Sequence, residues 1–373
     1  MKCMIGTAAR ARMAQIACMA LLGLVPGLRL HAADFKFAPI DYPNSLATEV
    51  LGIKDQGANF NQSSARTERH DYTRGDVPGS IGATRQTLKA GSIAPRGKYN
   101  YIRVDVPGAV STNLYGINSR GQTVGLYVDG SGTSHGLLRN VDGSVVRIDY
   151  PGAMFTTANG INSLGDIVGR WDDARGITHS FLRRSQGLIT SFDPPAPCLA
   201  TTMPAAAHGI NDWGDIVGRC FDASAKELGW LLRHDGSSAI LDDPSFDTTD
   251  GWAIDNSRVV VGDYYIVADD FVHGFTWTKA KGFTTLDFEN NITGLRAINQ
   301  RGDISGIYFA GSTLHGFLRL KNGTEATIDP PGSVWTATAV VNNSGMVAGA
   351  YLDADSNEHG YIAISCRLCD SRN

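Results

Sequence analysis

Histidines and carboxylates are the side chains that most readily move protons or hold a metal near neutral pH. This chain carries nine histidines and 37 acidic residues. Six of the histidines, His70, His135, His179, His273, His315 and His359, recur in one HGF-like setting, with Leu228 at the place of a seventh. A group repeated in every unit of a repeat protein belongs to the construction of the units, its imidazole bonded to a neighbouring carbonyl or Asp. A site should instead break the repeat. His208 and His234 do so, both in the fourth copy, and are candidate binding residues. No GxSxG elbow, HExxH zinc motif or phosphate-binding GxxxxGK accompanies them, so no catalytic residue is assigned.

Three further groups could do chemistry. In YLDADSNEHG, Asp353, Asp355 and Asn357 alternate as oxygen ligands would around calcium. The loop lacks the Gly and terminal Glu spacing of an EF-hand, so a solvated turn is the preferred reading, and no cofactor is expected beyond that calcium. Cys198 and Cys220 fall in one repeat and could bridge, while Cys366 and Cys369 form a CRLC tail. With no second CxxC or His pair nearby, a tail disulfide is preferred to a metal or redox motif. Phe155 and Trp335 each stand six residues after the repeat Asp. There they could stack on a sugar or clamp a peptide, or pack one unit on the next.

The elements that must position these residues are set by repetition. The Asp of an IDxPG element stands at Asp41, Asp105, Asp149, Asp193, Asp242, Asp287 and Asp329. The residue opening an NxxG turn is Lys54, Asn118, Asn162, Asn211, Asp255, Asn299 or Asn342. These landmarks and the HGF position march together at spacings of 42 to 49, apart from one gap of 64 or 65 that places a Gly-, Ser- and Ala-rich insertion at 75–96. Within a unit, short alternating segments separated by Gly turns predict four antiparallel strands, for example Thr157 to Ile161, Asp166 to Trp171, His179 to Arg183 and Leu188 to Phe192. Four strands per repeat is the content of a β-propeller blade.

The last copy lacks a fourth strand, and DFKFAPID, ending at Asp41, matches the strand VVRID that ends at Asp149. The expectation is an all-β propeller over 33–364, with seven blades closed by that N-terminal strand. The alternative has six blades, closed by YNYIRVD at Tyr99 to Asp105.

Together, IDxPGA, GINxxGDIVG and HGFL resemble the HAF repeats, and the resemblance extends from Asp34 to about Ile364. It weakens at Lys54 and His70-Asp71-Tyr72 and at Leu228-Gly229-Trp230. The resemblance implies an extracellular repeat scaffold and no particular activity.

Composition agrees. Charged residues make up 19% of the chain and there are 43 glycines, which suits turn-rich β structure. Lys2, Arg10 and Arg12 precede an apolar run ending near Leu28, and Leu30-His31-Ala32 offers a cut, so residues 1–32 read as an export signal. Pro26 and the shortness of the run argue against a membrane helix, and no span is expected after cleavage. Loss of four cations and no anion moves the net charge from −4 to −8, which argues against nucleic acid. The expected product is a monomeric secreted, periplasmic or cell-surface module without catalysis that binds a glycan, peptide or protein partner. The alternatives are an exported propeller hydrolase or lyase and a structural surface or matrix component.

Overall fold

The computed structural model describes residues 45–53, 59–65, 85–86, 99–199 and 203–365. The expected signal (1–32), the strand ending at Asp41, the landmarks Lys54 and His70, and the CRLC cysteines Cys366 and Cys369 lie outside the described residues.

Five consecutive four-stranded antiparallel sheets run Ala109–Ile148, Phe155–Phe192, Ala206–Leu241, Thr248–Thr285 and Thr293–Thr327, each meandering from an inner to an outer strand. We call these blades 1 to 5. Blade 6 takes Ser333–Val341, Val347–Asp353 and Glu358–Ser365 from the C-terminal side, then Tyr99–Val104 from the N-terminal side, with Arg85–Gln86 as a fifth strand at its rim. Each inner strand touches the next, and that of blade 6 touches that of blade 1, so the ring is closed.

The ring therefore has six blades, the alternative closure, rather than seven. The partner of Glu358–Ser365 is Tyr99–Val104, in register from Gly360↔Val104 to Ser365↔Tyr99. That strand is the fourth strand of the first repeat, and here it belongs to the last. Among the described residues the rest of the first copy shows one hairpin. Ser45–Ile53 and Asn59–Ala65 pair alone, and their bounds and bulges match those of Ala109–Ile117 and Thr123–Asp129. Within the insertion at 75–96, Arg85–Gln86 is the strand against Ile102 and Tyr101.

The repeated residues have concrete structural tasks. The Gly of DIVG faces the aromatic of HGF on the neighbouring strand, as in Gly169↔Phe181, Gly218↔Trp230, Gly262↔Phe275 and Gly306↔Phe317. A Cβ on Gly169 would lie 2.8 Å from the Phe181 ring and 2.0 Å from the Thr157 carbonyl, so only Gly lets the ring settle. The rings of Phe181, Trp230, Phe275, Phe317 and Tyr361 are fully buried between blades. Each contributes roughly 1.5–3 kcal/mol of apolar burial.

The HGF histidine holds strand three to the end of strand four. Its Nδ1 lies against the following IDxPG Asp: His135–Asp149 at 3.0 Å, His179–Asp193 at 2.8 Å, His273–Asp287 at 2.8 Å and His315–Asp329 at 2.6 Å. In blade 3, where Leu228 replaces His, Lys226 Nζ takes over by binding Asp242 at 2.8 Å.

The NxxG asparagines form a second system, at the opposite end of the inner strands. Asn118, Asn162, Asn211, Asn299 and Asn342 each accept backbone N–H groups within their own turn and donate Nδ2–H to the next blade's equivalent carbonyl. The last of these, Asn342 to the Asn118 carbonyl at 2.9 Å, closes the circle.

Candidate functional site

The inner strands of blades 1 to 5 each carry a β-bulge at the same repeat position, and that of blade 1 has a second irregularity nearer its start, between Ala109 and Ser111. Pairing skips from Leu114 to Gly116, from Ala158 to Gly160, from Ala207 to Gly209, from Gly251 to Ala253 and from Leu295 to Ala297. A bulge inserts an unpaired residue and re-aims its side chain. The five extra residues are Tyr115, Asn159, His208, Trp252 and Arg296, and all line one cavity of about 90 Å³ on the ring axis. In blade 6 the skip falls earlier, between Thr336 and Thr338, so Ala339 pairs with Gly349 and is buried away from the axis. A collar of β-branched side chains, Ile117, Ile161, Ile210, Ile254, Ile298 and Val341, completes the wall on the side toward the asparagine turns.

Close approach of neighbouring strands sets the bore. Gly116, Gly160 and Gly209 abut the bulge backbone of the next blade; a Cβ on Gly160 would lie 2.4 Å from the His208 carbonyl.

Three bulge residues form a continuous stack across blades 3 to 5. His208 stacks on Trp252 with centroids 4.2 Å apart, and the Arg296 guanidinium lies 4.1 Å from the Trp252 ring centroid. Such contacts fix planes as well as adding cation–π attraction. Gly294 makes room for the guanidinium, since a Cβ there would come within 2.7 Å of it.

Behind the stack lies a buried charge cluster. Arg296 Nη1 donates to Asp263, and Arg219 Nη1 lies 3.3 Å from Glu227 and 3.4 Å from Asp250. His208 Nδ1 is 3.1 Å from Asp250 Oδ1. Burial lowers the His208 pKa and so favours the neutral imidazole. Burial pushes the Glu227 carboxyl up to about 7 and that of Asp263 to about 6, against the pull of Arg219 and Arg296 respectively. For Asp250 burial acts the same way, but the contact with His208 and the two guanidiniums outweigh it and hold the carboxyl low.

Of the residues singled out in the sequence, only His208 lines this cavity. His234 lies in an outer turn, its Nδ1 and backbone N on Asp215 Oδ1 at 3.0 and 3.1 Å. Phe155 is buried with the Arg170 guanidinium 4.6 Å from its ring centroid, so its role is packing rather than display toward a ligand. Trp335 is half-buried and packs on Ala337 and Leu352 of its own blade and on Ile307 and Leu314 of blade 5. Asp353 is occupied as a turn cap: Oδ1 accepts from the backbone of Asp355 and Asn357 at 2.9 Å each, and Oδ2 meets His359 Nε2. Asp129 and Asp222 cap the equivalent turns in the same way, which makes the feature part of the repeat. Among the described residues no cluster of three or more His, Cys, Asp or Glu suited to a metal is present. Cys198 and Cys220 form a disulfide that ties the connection between blades 2 and 3 to the second strand of blade 3.

Sequence reasoning missed Tyr115, Asn159, Trp252 and Arg296. A signal was there: three residues before the NxxG turn, the copies read Tyr, Asn, His, Trp and Arg, where the surrounding columns repeat.

No family model and no curated protein matches the sequence. Among solved structures, the chain is similar to a streptogramin B lyase at 13% identity and TM-score 0.42, over 72% of this chain and 89% of that one. It is similar also to TolB from Acinetobacter baumannii at 11% identity and TM-score 0.47, over 69% of this chain and 65% of that one. A third likeness is the six-bladed fucose-recognising lectin of Aleuria aurantia, at 10% identity and TM-score 0.42, over 66% and 89%. Likenesses this distant carry nothing about ligands or activity. The chain is a six-bladed β-propeller with four-stranded blades, and no helix among the described residues is long and apolar enough to cross a membrane.

Proposed function

We propose that this protein is an exported binding module that takes its ligand, a glycan, peptide or protein segment, into the axial cavity. The observation that carries this reading is the set of bulge residues. At one repeat position, five blades present Tyr115, Asn159, His208, Trp252 and Arg296, a mixture of aromatic and hydrogen-bonding groups, while the rest of the unit is kept uniform for construction. Concave sites where polar groups from several elements converge are a common form of ligand site. The charged N-terminal segment before an apolar run supports export, and so does the Cys198–Cys220 disulfide, since such bonds persist in oxidising compartments.

The test is to screen the full chain on immobilised glycans and peptides and to repeat each hit with Tyr115→Ala and Asn159→Ala. Weakened hits in both variants support the axial site. Hits indifferent to both place binding elsewhere.

One observation favours a second reading, an exported hydrolase or lyase. Glu227, 18% exposed at its side chain, has a raised pKa in the same cluster that holds Asp250 low, and a pair of carboxyls pushed apart in this way suits acid–base work. Turnover of a bound ligand that is lost in Glu227→Gln, with binding retained, would establish it.

A further inference from the structure

Outside the axial cavity, the face that carries the asparagine turns breaks its repeat at the seam between blades 3 and 4. Five of the six NxxG turns place Gly in the left-handed region, at φ between 82° and 89°. Blade 4 places Arg258 there instead, at φ of 62°. A side chain held in that backbone conformation is strained and persists where it has a task. Arg258 reaches back across the seam and donates Nε–H to Asp215 Oδ2 at 2.7 Å, while His234 of blade 3 donates from Nδ1 to Oδ1 at 3.0 Å. Asp215 is fully buried. Burial opposes its ionisation, but hydrogen bonds from Arg258, His234 and Asn211 outweigh it and hold the carboxyl below its ordinary value, so it accepts in both contacts.

The two partners of Asp215 keep free ends. The side chains of Arg258 and His234 are 44% and 51% exposed. Arg258 is held by Nε, which leaves both Nη groups to donate, and the neutral imidazole of His234, donating from Nδ1, offers Nε2 as an acceptor. Beside them stands Trp213, 60% exposed and the one exposed aromatic ring among the described residues. Its Nε1 donates to the Asn256 carbonyl at 3.1 Å, two residues before Arg258, so the indole is pinned across the same seam. None of this is needed to build a blade: in blade 2 the position of Trp213 is filled by Leu164, and that of His234 by Ser185, whose backbone makes the same bond to Asp166.

The charge balance selects a neutral ligand. Arg258 is already paired with Asp215, and Asp212 and Asp235 add carboxylates next to Trp213 and His234 in the chain, so an incoming anion meets repulsion. A pyranose supplies in one small molecule an apolar C–H face for the indole and several hydroxyls, each able to accept or donate.

We infer that the seam between blades 3 and 4 is a second binding site, for a neutral pyranose ring that lies on the Trp213 indole, with one hydroxyl accepting from the Arg258 guanidinium and another donating to His234 Nε2.

The test uses the full chain and three substitutions, each installing a residue that another blade already uses at that position: Trp213→Leu, His234→Ser and Arg258→Gly. Methyl β-glucoside, methyl β-galactoside, glucuronate and tetraglycine are titrated while the indole Nε1–H resonance of Trp213, assigned by its loss in Trp213→Leu, is followed. Expected is a saturable shift with the neutral glycosides and little with glucuronate or tetraglycine; the stronger glycoside identifies the preferred arrangement of hydroxyls. The dissociation constant should rise roughly three- to tenfold in His234→Ser and in Arg258→Gly, and saturation transfer to the glycoside should fall in Trp213→Leu. Thermal melts check that the variants still unfold cooperatively, and should one fail, the other two carry the comparison. A stronger response to glucuronate would make the seam an anion site, and a stronger response to tetraglycine a peptide site; either overturns the inference. So does the lack of a saturable shift with both glycosides, or binding as tight in the variants as in the native chain.

Discussion

His359 Nδ1 lies 3.0 Å from Asp105 Oδ1, across 254 residues of chain. In four other blades the same contact spans 14 residues. For His359 the ring supplies the partner Asp from the N-terminal side of the described chain.

Closure should therefore depend on that contact and the strand that delivers it. Removing 99–105 is expected to abolish a single cooperative unfolding transition, whereas removing 1–84 should preserve one. His359→Leu in the full chain should cost about 1–2 kcal/mol. Denaturant unfolding followed by circular dichroism measures all three, and a cooperative transition that survives loss of 99–105 would mean another strand closes the ring.

The asparagine circle has one gap. Asp255 occupies the blade 4 position and, when ionised, has no N–H or O–H to give to Asn299, while burial raises its pKa. Asp255→Asn should keep the turn bond to Val259 N, now 2.8 Å from Oδ1, and add the sixth link, stabilising by about 1 kcal/mol at neutral pH. The sign of the pH effect comes from linkage. With its pKa raised on folding, the native carboxyl binds its proton more tightly than the unfolded one, so wild-type stability improves as pH falls through the raised pKa. The advantage of Asp255→Asn should accordingly shrink on acidification. Thermal melts at pH 7.5 and pH 4.5 check this.

Blade contact at the axis leaves no room for a methyl group. Gly160→Ala would place a Cβ 2.4 Å from the His208 carbonyl, with backbone rather than a flexible side chain as the obstacle. A loss of roughly 1–3 kcal/mol or more is expected, whereas Gly176→Ala, in an open turn with φ of 76°, should lose only the cost of that backbone conformation. Comparison of their melting temperatures separates crowding from strain.

The buried acids give the protein a pH signature. Glu227, with a native pKa of about 7 against an ordinary carboxyl value of 4.5, takes up its proton more readily in the fold. Stability should decline as pH rises between about 4.5 and 7, and Glu227→Gln should flatten that slope. Denaturant midpoints measured from pH 4.5 to 8 decide it; a slope unchanged in Glu227→Gln would assign the effect to Asp263 or elsewhere.

Much of this architecture was legible in the chain, because a propeller blade is made of local hairpins. The strands expected around Thr157–Ile161 and His179–Arg183 stand within two residues of the observed Phe155–Ile161 and Thr178–Arg183. The constructional role of the repeated histidines was likewise legible, since any group present in nearly every unit must serve the unit.

Two matters depended on tertiary structure. Blade number turned on whether Glu358–Ser365 paired with the segment before Asp41 or with Tyr99–Val104, two strands of similar alternation. Local pattern cannot rank pairings separated by 250 residues, whereas three-dimensional register and the His359–Asp105 contact do. The site turned on bulges. Period-two alternation assigns every inner-strand residue to one face or the other, and a single skipped pairing redirects Tyr115, Asn159, His208, Trp252 and Arg296 to the axis. The sequence by itself determined the unit, its four strands and its internal bonds; only the closed ring determined how many units it holds and which side chains meet at its centre, because both rest on contacts between strands far apart in the chain.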